Sequence, residues 1–437
     1  MRGGVHWYVA QAIPQIDAEI AEKGHFWMET SYDGRQMTTI KKRARVKKKF
    51  HSSQEKLPIY LTVAIVGLSI FAAVSGYGLY RFLGSHRACQ IPIFESVLSQ
   101  GTEASVKQID RRIYDALLAL NIHAGEVVFR SVETRRDKEE VWTFSEMEIH
   151  LSRTVPQGIV ESAFYKQFSA LVPTTSLKFY LSPNKETIIS CSVNGRQTHS
   201  LIFVTAREKK PVVSPPDVLP MVAIIIDDLG YDEKMASKFL ELDAGLSFSV
   251  LPHSPFQKSI AAAIHRSGRD VLLHLPMEPL EYPDVDPGEG TLLCSMYPDE
   301  LLAQLKKNLG SVPLVVGVNN HMGSRFTQDS AKMRQVFTML KMRNLFFIDS
   351  FTNPGSHCAK AAKLLQVKFA RRDVFLDHAQ DPHSIRLQIK RLLTVAKKKG
   401  WAIGIGHPYR VTLEVLREEL PNIEQEVNIV RVSQLVS

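Results

Sequence analysis

The stretch that decides the fold runs Val222-Ala223-Ile224-Ile225-Ile226-Asp227-Asp228-Leu229-Gly230. Five apolar residues, mostly β-branched, lead straight into two adjacent carboxylates and a glycine. A run that is apolar on both faces suits a central strand of a parallel sheet covered by helices on both sides. The two acids then fall at the strand's carboxyl end, where α/β folds place ligand sites. Successive strand residues point to opposite faces, so Asp227 and Asp228 share one direction only if the strand ends between them. One of the pair suits a metal ligand and the other a base or a carboxylate held by backbone amides. The plainer alternative is a strand-to-helix turn in which Asp228 caps the next helix.

From this strand to the C-terminus, short apolar runs alternate with helical patterns. Strands are expected at Val222–Ile226, Leu246–Val250, Asp270–Leu273, Leu314–Val318, Phe346–Ile348, Phe369–Ala370 and Ala402–Ile405. Helices are expected at Glu233–Glu241, Ser259–Ser267, Pro298–Leu309, Ser330–Arg343 and His383–Lys399. Repeated β–α units of this length make a parallel α/β architecture, and about seven of them suit a barrel as well as an open sheet.

Polar clusters follow these strands in register. After the acid pair come His253 in a proline-bounded loop, His274 with Glu278 four residues on, and Asn319-Asn320-His321 running into Ser324 and Arg325. Asp349, the Arg371-Arg372-Asp373 stretch and His407 complete the set. Seven such loops on one rim mark that rim as a site. A lone histidine is more often a hydrogen-bonded structural residue than a ligand, and His253 fits that reading or a substrate contact. His274, His321 and His407 end three different strands opposite the carboxylate pair. Two imidazoles and one carboxylate, with positions left open, make a catalytic divalent-metal site whose usual occupant is Zn²⁺. Glu278 reads as a further ligand or as a helix-start acid.

The N-terminal half has a different character. Leu57 to Tyr80 holds no charged side chain over roughly 24 residues, enough to cross about 30 Å of hydrocarbon as a helix. Lys41, Lys42, Arg43, Arg45, Lys47, Lys48 and Lys49 precede it. Positive charge before a span predicts a cytoplasmic N-terminus and an exported remainder, the periplasm in a bacterium with two membranes. The basic run, part of a net charge of +9, is thereby assigned to topology and not to nucleic acid. Residues 1–56 read as a largely disordered basic cytoplasmic tail, with Met37 a natural start, and 57–83 as a transmembrane anchor. Residues 91–206 read as a small α+β spacer or interaction domain with an Asn194-Gly195 hairpin turn. Residues 207–220 read as a proline-rich linker, and 221–437 as the α/β domain. The four cysteines, Cys89, Cys191, Cys294 and Cys358, form no zinc-ribbon spacing; Cys89–Cys191 is the within-domain disulfide candidate.

The ordered set Ile-Asp-Asp-Leu-Gly, Leu-Pro-His-Ser-Pro, His-Leu-Pro-Met-Glu-Pro, Asn-Asn-His-Met-Gly-Ser, Ile-Asp-Ser and Ile-Gly-His-Pro, spread from Ile226 to Pro408, resembles the divergent polysaccharide deacetylase family. The resemblance covers about Met221 to Val436. It implies a distorted (β/α) barrel and metal-dependent removal of N-acetyl groups from a carbohydrate. It further implies Asp227 as the base and Asp228 as a metal ligand. The family's His-x-x-x-His motif has its counterpart in His274 and Glu278, so the second histidine is missing and His321 is expected to replace it. Ile405-Gly406-His407 matches the motif that supplies the general acid. The ligand set so implied is Asp228, His274 and His321. Asn320, Ser324, Arg325, Glu278, His253, Asp349 and Asp373 are expected as substrate contacts or supports of the ligands. Two functions follow. One is an inner-membrane-anchored periplasmic hydrolase acting on an N-acetylated glycan such as peptidoglycan. The alternative is a catalytically silent envelope protein that binds glycan or a cell-wall partner.

Overall fold

The structure, a computed structural model, describes residue 75 and residues 102–138, 140–151, 155–169, 175–183, 186–205 and 218–436. The basic tail, Cys89, most of the expected linker and all but one residue of the expected 57–83 anchor lie outside these. Among the described residues no helix is long and apolar enough to cross a membrane.

The first described segment folds as α1 (Thr102–Ala119), β1 (Val127–Arg136), β2 (Val141–Leu151), α2 (Gln157–Phe168), β3 (Thr175–Leu181), β4 (Thr187–Val193) and β5 (Arg196–Thr205). The sheet runs β1-β2-β5-β4-β3, antiparallel except between β2 and β5. Asn194 (φ 49°) and Gly195 (φ 78°) both take the left-handed conformation that a two-residue hairpin requires. Ile109, Ile113 and Leu117 of α1 and Val160, Phe164 and Phe168 of α2 pack on Met147, Ile149, Ile189 and Leu201 of the sheet. Strand β1 escapes sequence pattern because it is an edge strand, polar over most of its second half.

The rest begins with β6 (Met221–Leu229), α3 (Glu233–Leu240), β7 (Ser247–Val250), α4 (Gln257–Arg266), β8 (Val271–Met277) and α5 (Pro298–Ser311). It continues with β9 (Gly317–Met322), α6 (Ser330–Met342), β10 (Phe346–Asp349), α7 (Cys358–Leu365), β11 (Phe369–Arg371) and β12 (Val374–Phe375). It ends with α8 (Pro382–Lys399), β13 (Trp401–Gly406), α9 (Arg410–Ile423) and β14 (Asn428–Ile429). All pairings are parallel, in the order β11-β10-β9-β8-β7-β6-β13-β12, with β14 against β6. The two ends of that order, β11 and β12, are separated by only Arg372 and Asp373. The Arg372 amide donates to Asp349 of β10 at 3.0 Å, and the next amide, Asp373, donates to Ile403 of β13 at 2.8 Å. One bent segment thus pairs with both ends of the sheet and makes it a barrel-like α/β ring of seven strand positions.

Strand ends differ from the sequence pattern in one informative way. A strand was expected at Leu314–Val318, with Asn319–His321 in a loop. Instead Leu314 turns in the left-handed region (φ 64°) and β9 occupies Gly317–Met322, buried throughout. A side chain at Gly317 would run into the Phe346 ring at 2.3 Å, so the close approach of β9 to β10 needs glycine. The polar residues stay in the strand because their backbone keeps its register with β8 while their side chains bond Ser249, Asp227, His274 and Ser350 of other segments.

Helix α8 has two apolar faces. Ile385, Ile389, Leu392 and Ala396 enter the ring's core, whereas Leu387 enters the core of the small domain. Beside Leu387, Arg391 pairs with Asp110 at 2.7 Å and donates to Ser145 Oγ at 2.9 Å. The two parts form one compact unit.

Candidate metal centre

The centre starts from a break in β6. Its pairing with β7 shifts register between Ile226 and Leu229, and Asp228 sits at φ 56°, a conformation rare outside glycine. The irregularity settles the facing problem posed by two adjacent acids, since both Asp227 and Asp228 are buried in the mouth of the ring.

Strands β8 and β9 bring His274 and His321 to Asp228. Its Oδ1 lies 3.0 Å from His274 Nε2 and 3.1 Å from His321 Nδ1, and the two ring nitrogens are 3.1 Å apart. Despite that proximity, Asp228 Oδ1 is buried without a hydrogen bond, because neither ring N–H is aimed at it. His274 Nδ1 faces Asn319 Oδ1 at 3.0 Å, and the same amide's nitrogen is given to Asp227. Nδ1 of His274 therefore carries a proton and Nε2 is the nitrogen left facing Asp228; burial would lower the ring's pKa, but Asp227 and Asp228 raise it above the ordinary value. Three donor atoms thus converge on one point. A triangle with edges near 3 Å is the spacing of ligands around one ion at bonds of about 2.0–2.1 Å. Of the described residues, these three alone form such a group.

Asp227 stands beside the triangle, 3.7 Å from His274 Nε2. Asn319 Nδ2 donates to both of its oxygens, at 2.8 and 3.0 Å, and burial raises its carboxyl above the ordinary range. His407, from the end of β13, completes the mouth. Its Nδ1 donates to Asp377 Oδ1 at 2.8 Å, while the second Asp377 oxygen accepts from the His407 amide at 2.6 Å and from Thr412 Oγ1 at 2.7 Å. Burial would lower the imidazole, but the Asp377 charge and hydrogen bond outweigh it and lift the pKa to about 9. Phe375 stacks on the ring at 6.0 Å and Tyr409 lies 5.6 Å away on a tilt. A cavity of about 20 Å³, lined by Asp227, His274, His321 and His407, lies among these groups.

The other residues singled out from sequence serve the scaffold. Glu278 pairs with Arg325 at 2.9 Å and accepts from the Cys294 amide at 2.6 Å; it is neither a ligand nor a helix-start acid. Ser324 accepts from the Leu280 amide at 2.9 Å and Arg325 donates to the Leu280 carbonyl at 2.8 Å, so all three residues pin the loop after β8. His253 bonds Asn308 at 2.9 Å. Asn320 lines the small cavity but spends its amide on Met322 and Ser350. Asp349 holds the turn at Phe351 and Ser356, and Asp373 holds Ile403. Two central residues had escaped notice. Asn319 lies two positions from His321 and so shares its strand face, a signal present in Asn-Asn-His. Asp377 was missed because the closing strand was expected to end at Ala370, before the bend at Arg372–Asp373 and the short β12 that follows it.

The sequence profile of the divergent polysaccharide deacetylases matches residues 224–436. An uncharacterized Escherichia coli protein, YibQ, is 36% identical over 225 residues, covering 52% of this chain and 70% of that one. A Haemophilus influenzae protein, also uncharacterized, is 32% identical over 214 residues, 49% of this chain and 76% of that one. This chain belongs to the divergent polysaccharide deacetylase family. Among solved structures, an uncharacterized Agrobacterium tumefaciens protein is 24% identical, with a TM-score of 0.49 over 53% of this chain and 93% of that one. Within this chain the profile spans every residue of the centre, from Asp227 and Asp228 to His407.

Proposed function

We propose that this chain is a metal-dependent hydrolase that removes N-acetyl groups from an envelope glycan, with peptidoglycan the nearest candidate. Its 57–83 segment would anchor it in a bacterial inner membrane with residues 91–437 on the periplasmic side. The observation that carries the chemistry is the buried, unbonded Asp228 Oδ1 between two imidazole nitrogens. A buried carboxylate oxygen without a donor is costly, and a divalent cation held by Asp228, His274 and His321 removes that cost. Zn²⁺ is the cation that one carboxylate and two imidazoles suit best. When bound, such an ion polarises an acetyl carbonyl and eases deprotonation of water beside it.

The chain's own groups supply the proton transfers. Asp227, oriented by Asn319 and raised by burial, accepts a proton from the attacking water. His407, with a pKa of about 9, is protonated at neutral pH and gives its Nε2 proton to the departing nitrogen. Asp377 and Thr412 keep that ring in place. Water and an acetamide thereby become acetate and a free amine.

The test is metal content and acetate release from N-acetylated glycan by the full-length protein. About one divalent ion per chain is expected, retained in Asp227→Asn and lost in Asp228→Ala and His321→Ala, with acetate release abolished in all three. Acetate release by the Asp228→Ala protein, or a wild-type chain that takes up no divalent ion, overturns the proposal.

A further inference from the structure

The end of the ring opposite the metal centre is divided by charge. From Leu301 to Arg372 the chain holds twelve lysines and arginines and only two acids. Those two, Asp329 and Asp349, cap α6 and end β10, so both lie at the mouth end. At the other end, where helices stop and strands begin, Lys306 and Lys307 sit in the last turns of α5. Lys341 and Arg343 stand at the end of α6, and Lys363 and Lys368 around the end of α7. All six are exposed. No carboxylate among the described residues pairs with any of them, whereas Lys397, Lys398 and Lys399 at the end of α8 meet Glu426, Glu133 and Asp373. Complementing the helix dipole does not account for the six, because α3 and α9 stop at the same end of the ring with Glu241 and Glu424.

Large apolar side chains stand among these cations. Met342 is 82% exposed and Leu364 66%, with Leu314 at 48% and Val316 at 40%. The fold makes them neighbours. Val316 and Leu345 directly precede Gly317 and Phe346, which pair across β9 and β10, and the Phe347 amide donates to the Lys368 carbonyl at 3.0 Å. Lys341 Nζ donates to the Leu365 carbonyl at 2.7 Å and so ties the end of α6 to that of α7. Leu314 takes φ 64°, a conformation costly for a bulky residue, and holds an apolar group out in water.

We infer that this face docks on the surface of an anionic lipid bilayer. The inference goes beyond the hydrolase reading and does not depend on it. Lysines and arginines free of carboxylates draw negatively charged headgroups, and the aliphatic tips between them gain by entering the boundary between headgroups and acyl chains. A soluble polyanion such as a nucleic acid would use the cations but leave Met342 and Leu364 in water. The exposed apolar residues of this face also include no aromatic ring on which bases could stack. Docked by this end, the ring turns its mouth, at the carboxyl ends of the strands, away from the bilayer.

The experiment uses the full-length chain reconstituted into vesicles whose acyl chains carry a doxyl quencher. One set is made of phosphatidylcholine and the other of equal parts phosphatidylcholine and phosphatidylglycerol. A tryptophan placed by Met342→Trp reports on this face, and one placed by Tyr297→Trp, exposed where α5 begins, reports on the mouth end. The emission that Met342→Trp adds to the parent chain's is expected to be quenched in the anionic vesicles and spared in the neutral ones. That of Tyr297→Trp is expected to be spared in both. Adding Arg343→Gln, Lys363→Gln and Lys368→Gln together to the Met342→Trp chain is expected to weaken docking about 100-fold and abolish the quenching, with the melting temperature unchanged. The proposal is overturned by an unquenched Met342→Trp in anionic vesicles, by equal quenching in neutral ones, by equal quenching at Tyr297→Trp, or by a triple variant that stays quenched. Hydrolysis plays no part in the readout, so failure of the deacetylase reading leaves this test intact.

Discussion

Two buried clusters of this molecule start from the same pair of side chains and end in opposite chemistry. At the junction of the small domain with α8, Asp110 Oδ1 lies 3.0 Å from His199 Nε2 and Oδ2 lies 2.7 Å from Arg391. At the mouth of the ring, Asp228 Oδ1 lies 3.0 Å from His274 Nε2. The difference is in the donors. Each Asp110 oxygen has a partner, and a second Arg391 nitrogen is given to Ser145. Burial would raise the Asp110 carboxyl, but Arg391 and His199 together hold it well below the ordinary range. Asp228 faces two ring nitrogens and receives a hydrogen bond from neither. A satisfied cluster fastens two parts of a fold; an unsatisfied one of similar composition is a place where something binds.

That contrast can be broken from the junction side. Arg391→Met leaves Asp110 buried without its cation and should lower unfolding free energy by about 3–5 kcal/mol. Replacing Asp110 by leucine in the same chain should return much of the loss. Urea unfolding of the three proteins measures both changes.

The centre should behave in the reverse sense. A divalent cation at about 100 times its Kd should stabilise the wild-type protein by about 2.7 kcal/mol, read as a rise in melting temperature. The Asp228→Ala protein should show no rise, and a chelator should cancel it in the wild type. The Arg391→Met protein should keep its response to the cation, because its metal ligands are untouched.

Asn319 sharpens the comparison, being the one amide that ties base to ligand. Asn319→Leu removes the acceptor for His274 and the donor for Asp227 together. Metal affinity should fall about 10–100-fold, measured by equilibrium dialysis, with the junction intact.

The smallest change is electrostatic. His407 has its folded-state pKa raised to about 9, above the ordinary imidazole value of 6.5, so the stability from its pairing with Asp377 is complete below about pH 6.5 and lost as pH rises through about 9. Hydrolysis should fall over the same alkaline range as the acid loses its proton. Asp377→Asn should move that alkaline limb towards lower pH, seen in a pH–rate profile, with metal content unchanged.

Much of the ring was legible because buried parallel strands are written as short β-branched runs, and Val222–Ile226 is the plainest of them. Asp228, His274 and His321 were legible as polar residues at strand ends. The extent of the strands was not, because a strand entering a polar site keeps its backbone pairing while its side chains change character. Asn319–His321 therefore read as loop and lie in β9. Asp377 was hidden by the bend at Arg372–Asp373, which no local pattern announces. The junction was hidden for another reason. A separate spacer was one expectation for residues 91–206, yet Leu387 and Arg391, four residues apart on α8, make a stripe whose partner lies more than 240 residues earlier at Asp110 and Ser145.

The bent closure of the ring also bears on which insertions and deletions the lineage tolerates. Loops at the opposite end can lengthen freely, since nothing in the mouth depends on their count. Between Arg371 and Val374 the count is two residues, each amide bonded to a different strand. One residue more would reverse the facing of the segment that follows, turning Asp377 away from His407 and leaving the acid without its partner. Relatives that differ in length should therefore hold that interval constant while varying almost everywhere else on the surface.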